Sequence, residues 1–322
     1  MKSTNTNIQT EKKKFQLYQH PWLSLLAVMV TFVFSMVLAG IVFIGLIGLS
    51  DNSPAAQFTQ MMTHHILTVF ILVPFVLHLP RGKRTFRQYL DDIGLSRVHP
   101  FIRLVLLGLS CYAILALSQV AASVIYRLSE GLSINGAFIR QVFDPSRDLP
   151  PGSPSLLISF PSIFEEMVFR GIILTVFLGM YSERKSIIFS SAAFGLWHAL
   201  NLVNGSDLVW TMGQVVWAFI MGLFYGYVFV RTRSLLPPMI VHYLSNVFIS
   251  TLVGYLQVRA SIEVQALYGV ILSLGVVPVT LMILWTRYFT SRWLPGSGAR
   301  QFSDVEEAAI RQPSSTLPAG SR

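Results

Sequence analysis

WLSLLAVMVTFVFSMVLAGIVFIGLIGL, residues 22–49, runs from Trp22 to Leu49 without one charged side chain. An α-helix rising about 1.5 Å per residue needs about 20 such residues to cross the hydrocarbon core of a bilayer. The run is too long for the apolar region of a signal peptide, and no clear small-residue cleavage site follows it, so it reads as a retained membrane anchor. Working outward, apolar runs recur at about 64–80, 101–126, 154–180, 186–204, 207–230, 234–256 and 267–287. The chain is therefore expected to be an all-α, polytopic transmembrane helical bundle of about eight spans. The run at 64–80 is the weakest, because His64 and His65 open it and Pro74 interrupts it. Both histidines read as residents of the outer interface.

Composition agrees. Of 322 residues 53% are hydrophobic and 12% charged, where a water-facing domain carries roughly 25% charged residues. The single cysteine, Cys111, excludes an internal disulfide framework and a paired-thiol metal or redox site, and its apolar run makes it a small buried hydrophobe. A net charge of +9 does not point to nucleic acid, because the basic residues are scattered between the apolar runs. With eight spans and an interior N-terminus, only Arg127, Arg140, Arg147 and Arg259 fall outside and Arg170 lies within a span; the rest of the 24 basic residues fall inside. That bias predicts both ends in the cytoplasm. The organisation expected is a basic cytoplasmic segment over 1–21, a transmembrane core over 22–287, and a cytoplasmic tail over 288–322, rich in Ser, Pro and Gly after Trp293 and disordered. The Gly- and Pro-containing stretch from Arg127 to Pro151 reads as a loop over the outer face.

Ionisable side chains inside a span are costly and mark function by default. Three spans carry them: PSIFEEMVFRG at 161–171 with Glu165, Glu166 and Arg170; FGLWHALN at 194–201 with His198; and HYLSN at 242–246 with His242 and Asn246. Residues four apart share a helix face whereas neighbours diverge by about 100°. Glu166 is thus expected to pair with Arg170, leaving Glu165 as the carboxylate free to take a proton. His242 and Asn246 aim at one point, and Phe194 and His198 share the same spacing. A rise of about 1.5 Å per residue places Glu165, His198 and Asn246 near mid-membrane. A carboxylate, two imidazoles and an amide at one depth suit hydrolysis, with a base and donors for the oxyanion of a tetrahedral intermediate. Asn201 reads as a polar helix-end residue. Ser245 lies beside the site, but no GxSxG-like sequence accompanies it, so it is not read as a nucleophile.

EEMVFR, FGLWH and HYLSN, in that order on separate spans, resemble the three motifs of the CPBP family of CaaX-protease and bacteriocin-processing membrane proteases over about residues 154–250. The resemblance implies an intramembrane endopeptidase in which Glu165 with His198 activates water, His242 and Asn246 hold the oxyanion, and Glu166 and Arg170 maintain the geometry. It implies as partners the bilayer and a peptide or membrane-protein substrate, lipidated or not, and as location a membrane such as the bacterial inner membrane. Two His and a Glu could form a three-ligand zinc site; with no HExxH present and base and donors already supplied, the metal-free reading with no cofactor is favoured. The reading from another class is a non-enzymatic scaffold, or a proton-coupled transporter using the same buried Glu and His residues.

Overall fold

In the computed structural model the described residues are 17–42, 54–77, 85–129, 131–138, 157, 159–203, 205–248 and 275–294. Every regular element among them is helical. Helix α1, Pro21–Ile41, opens on a proline, whose missing N–H falls where a helix leaves that donor unused. Helix α2, Pro54–Leu67, continues through a π-helical turn, Thr68–Leu72, into α3, Val73–Val76. A short α4, Phe86–Asp92, is started by a reciprocal Thr85–Gln88 capping box, and the long α5 covers Phe101–Ser129. Helix α6, Pro161–Glu166, passes into a π-helical segment, Met167–Leu174, and then α7, Thr175–Leu178. Helix α8, Glu183–Trp197, ends in a 3₁₀ turn, His198–Leu202. Helix α9, Leu208–Thr232, is N-capped by Asp207, which accepts the Trp210 N–H at 2.9 Å. Helices α10, Leu236–Phe248, and α11, Val277–Trp293, complete the order.

Among the described residues four helical stretches are long and apolar enough to cross a bilayer: Pro21–Ile41, Phe58–Val76, Phe101–Ala122 and Leu208–Thr232. Their polarity is inverted relative to a soluble bundle. Leu26, Val30, Phe34, Ile102 and Leu117 are more than half exposed, whereas Ser35, Thr68, Gln119, Glu166, Arg170 and Ser190 are buried. An exterior of bare aliphatic side chains is stable in lipid and a liability in water. This is an all-α helical membrane protein.

Without a hydrophobic drive between helices, contact depends on how closely backbones approach. Helices α8 and α9 pair antiparallel along a seam of small residues. A Cβ on Gly195 would lie 2.8 Å from the Val215 carbonyl oxygen, one on Gly222 would lie 2.9 Å from the Ser191 Cβ, and one on Gly226 would meet Ile187 at 3.1 Å. Helix α5 packs along α10, and α11 packs on both α5 and α9. The indole N–H of Trp285 donates to Ser110 Oγ at 2.8 Å, and the Cys111 thiol, 1% exposed, sits 3.6 Å from Thr286 Oγ1. Helix α1 lies against α2.

The structure departs from the sequence reading in two places that bear on the site. The second membrane helix begins at Pro54, ten residues before the apolar run, because the intervening Gln and Thr residues are accommodated in its first turns. His64 and His65 consequently lie within the helix and are buried in the bundle, at 7% and 4% exposure. The span expected at 154–180 is not one α-helix; its centre, Met167–Leu174, is π-helical. The expected ends of spans one and seven lie outside the described residues, as do the 1–16 segment, the tail after Leu294 and most of the 127–151 loop.

Candidate active site

The acidic pair stands on the last turn of α6, where the π-helical segment begins. A π turn holds one residue more than an α turn and is found mostly at functional sites. Glu166 is fully buried, and Arg170, fully buried as well, places Nη1 3.2 Å from Glu166 Oε1. This is a contact of charges rather than an aligned hydrogen bond, since neither Nη of Arg170 has a hydrogen-bond partner in the structure. The guanidinium is instead clamped between aromatic faces: its carbon lies 4.2 Å from the Phe194 ring centre and 5.0 Å from that of Tyr225. Cation–π contact of this kind is strongest where water is absent.

Helix α10 brings His242 to the same carboxylate. Its Nδ1 lies 2.8 Å from Glu166 Oε1, and its Nε2 lies 3.7 Å from Glu165 Oε2. An ionised carboxylate only accepts, so Nδ1 carries a proton and donates it to Glu166. The ring is thereby fixed in orientation with Nε2 turned to Glu165, as an orienting carboxylate does for a functional histidine elsewhere. Tyr225 of α9 stacks on this imidazole, with 5.0 Å between ring centres and 22° between planes. The adjacent Glu165 and Glu166, expected to diverge, thus meet the two nitrogens of one ring. Adjacent residues diverge by about 100° on a helix, and an imidazole lying between two neighbouring side chains spans that angle.

His198 opens the 3₁₀ turn at the end of α8. Its Nδ1 donates to the Phe194 carbonyl at 2.9 Å; because a carbonyl only accepts, the proton is on Nδ1 and the lone pair of Nε2 is free. Phe194 sits edge-on to both imidazoles, 4.9 Å from His198 and 5.7 Å from His242. No hydrogen bond or ion pair joins His198 to Glu165 among the described residues; Phe194 lies between His198 and His242. Asn246, one turn beyond His242, is exposed. Glu165 is half-buried, so of the two carboxylates it is the one a water could reach. Ser245 donates to the His242 carbonyl at 2.8 Å, and Asn201 donates to Gln214 Oε1 at 2.7 Å. Both hydroxyl and amide are engaged in structure. Among the described residues no group of three or more His, Cys, Asp and Glu side chains is arranged to hold a metal ion.

The sequence reading missed two residues that pack against this cluster. Tyr225, in the run LFYGY of α9, floors His242 and Arg170, but one tyrosine among several in an apolar helix carries no motif signal. His65 is the other: its ring lies 5.0 Å from that of Phe164, the neighbour of Glu165. The misplaced helix start hid it.

Beside the site, between α1 and α8, runs an apolar groove of about 590 Å³ walled by Leu25, Met29, Phe34, Leu196, Trp197 and Leu200. Trp197 adjoins His198 in sequence. Residues 154–248 match the model of the Rce1-like family, described as type II CAAX prenyl endopeptidase Rce1-like. No curated protein and no solved structure matches the chain. The matched segment contains all three motifs and supports the resemblance drawn from them.

Proposed function

We propose that this all-helical membrane protein, with a CaaX-protease-type domain over residues 154–248, cleaves peptides within the bilayer by means of a water molecule activated by Glu165. The observation that carries the reading is the coupling of Glu166, His242 and Glu165. One carboxylate is buried and locked by Arg170, and the other is left open on the far side of the same imidazole. Such a division separates the group that holds geometry from the group that moves a proton.

In this mechanism Glu165, aided by the free Nε2 lone pair of His198, takes a proton from water as its oxygen adds to the peptide carbonyl carbon. The carbonyl oxygen becomes an oxyanion, held by the Asn246 amide and by His242 Nε2–H. With Nδ1–H donating to Glu166, a proton on Nε2 makes the ring an imidazolium, whose charge the flanking carboxylates balance. The proton on Glu165 then passes to the departing amine as the C–N bond breaks. No step passes through a metal. In this reading both ends of the chain face the cytoplasm, the chain crosses the bilayer about eight times, and the membrane is a bacterial inner membrane.

The groove beside Trp197 favours a lipidated substrate. An apolar trough of this size between two helices suits a hydrocarbon chain, and its end at the 3₁₀ turn would deliver the attached peptide to His198. The test uses the purified full chain in liposomes with two internally quenched peptides of one sequence, farnesylated and unmodified. The expected result is cleavage of the farnesylated peptide, lost with Glu165→Gln by a factor of about 10² to 10⁴. Equal cleavage of both peptides would remove the lipid preference. Turnover undiminished in Glu165→Gln would remove the mechanism, and membranes whose peptide termini are identical with and without Glu165 would favour the scaffold or transporter reading.

A further inference from the structure

The 3₁₀ turn His198–Leu202 that ends α8 sorts its side chains more strictly than an α turn does. With three residues per turn, positions i and i+3 eclipse one another along the axis. Trp197 and Leu200 are such a pair, and both line the apolar groove. His198 and Asn201 are the next pair, about 120° round the same turn. The face that carries the motif histidine therefore borders the groove face, and an amide follows the imidazole about 6 Å further along it.

Asn201 is held at two points. Its backbone carbonyl accepts the Ser206 N–H at 3.1 Å, and its Nδ2 donates to Gln214 Oε1 of α9 at 2.7 Å. One hydrogen bond between two carboxamides uses one donor group and one acceptor and leaves one of each. Here these are Gln214 Nε2 and Asn201 Oδ1, neither of which has a hydrogen-bond partner among the described residues. Exchanging oxygen and nitrogen in both amides leaves the same complement. Both residues are half-buried, so the fold fixes the pair without covering it. A donor and an acceptor held side by side match the C=O and N–H of one residue of an extended chain, which point to the same side of that chain.

We propose that Asn201 and Gln214 form a backbone-docking subsite for the peptide substrate, in which Asn201 Oδ1 accepts one substrate N–H and Gln214 Nε2 donates to the C=O of the same substrate residue. The inference rests on the endopeptidase reading and deepens it by naming how the site holds its peptide. The hydrocarbon chain lies on the Trp197 and Leu200 face, and the peptide passes to the adjoining face of His198 and Asn201. An extended chain advances about 3.3 Å per residue, so the rise of about 6 Å from His198 to Asn201 sets the docked residue about two residues from the bond that is cut. Because both contacts go to the backbone, the subsite fixes the register of the peptide and not the identity of its side chains.

The experiment uses the purified full chain in liposomes and the farnesylated quenched peptide, prepared also as a series in which one backbone amide at a time is replaced by an ester, removing a single N–H. In the wild type one ester, about two residues from the cleaved bond, is expected to raise KM about threefold to tenfold, the worth of one neutral hydrogen bond, with kcat within about twofold. Asn201→Ala is expected to raise KM for the parent peptide by a similar factor and to abolish the extra cost of that one ester while the others keep theirs. Gln214→Glu, which still accepts the Asn201 N–H but donates nothing, is expected to raise KM and to keep the ester cost. A purely structural Asn201 lowers the melting temperature of Asn201→Ala and leaves every ester cost as in the wild type; that result overturns the proposal, as does a wild type indifferent to every ester. The wild-type series and Gln214→Glu read the contact even where Asn201→Ala does not fold, and an unchanged KM in Gln214→Glu overturns the paired docking. If the wild type cleaves the parent peptide while the ester costs ignore Asn201→Ala, only the subsite falls; if it cleaves no peptide, the endopeptidase reading falls and the subsite with it.

Discussion

Glu165 and Glu166 are adjacent, identical in chemistry, and opposite in circumstance. Arg170→Ala leaves Glu166 buried with only His242 for company, and removing one partner of a buried ion pair costs about 3 to 5 kcal/mol. The variant is expected to melt well below the wild type in detergent and to lose activity. Glu165→Gln is expected to keep the wild-type melting temperature while turnover of the quenched peptide falls by a factor of about 10² to 10⁴. The reverse pattern, an unstable Glu165→Gln and a stable Arg170→Ala, would exchange the two roles. Tyr225→Leu removes the face that His242 stacks on and one of the two rings around Arg170; a stacked pair contributes about 0.5 to 1.5 kcal/mol, and kcat is expected to fall with it. The partners on one helix were legible in the sequence, because spacing alone decides which residues of EEMVFR share a face. The aromatic floor was not. Phe194 and Tyr225 come from different helices, and nothing in their own spans records that they close on the same guanidinium.

At the scale of the element, the π turns Thr68–Leu72 and Met167–Leu174 have a common construction. A π turn disturbs the regular helical ladder, and each is met by a hydroxyl from a neighbouring helix. Ser190 of α8 donates to the Phe169 carbonyl at 2.6 Å, and the buried Tyr89 of α4 donates to the Val69 carbonyl at 2.8 Å. These bonds tie each irregular turn to the scaffold, and Ser190→Ala is expected to lower melting temperature by the worth of one buried hydrogen bond, about 1 kcal/mol. The seam between α8 and α9 is more exacting. Gly222→Val drives its side chain into Ser191, and overpacking of that order costs about 1 to 3 kcal/mol; denaturation of the purified variant measures it, and displacement of α8 carries His198 with it, so activity is expected to fall further than stability. Helix type along 161–178 was beyond a hydropathy reading, since a π turn and an α turn have the same composition. The start of α2 was missed for a related reason: Gln57, Thr59, Gln60 and Thr63 look like interface residues to a scale of polarity, although a helix can run through them.

For the whole molecule, the inverted surface was legible from composition, because only lipid tolerates so few charges. Topology follows from where the basic residues stand, and the test is direct: cysteines introduced at Ser3 and Ser314 are expected to resist membrane-impermeant label added outside intact cells and to react after permeabilisation. Cys111 is buried and will add little background. Labelling from outside at either position would overturn the orientation. Chain length itself acquires a meaning from the π turns. Each stores extra length beyond α register, so the polypeptide carries a surplus within Thr68–Leu72 and Met167–Leu174. A substitution there changes one side chain, whereas a single-residue deletion, for example of Val168, would remove the surplus and bring Arg170 to three residues after Glu166, altering how the two meet with every other side chain of the site still present. In genetic terms the site is expected to tolerate a change of letter within Met167–Leu174 better than a change of count.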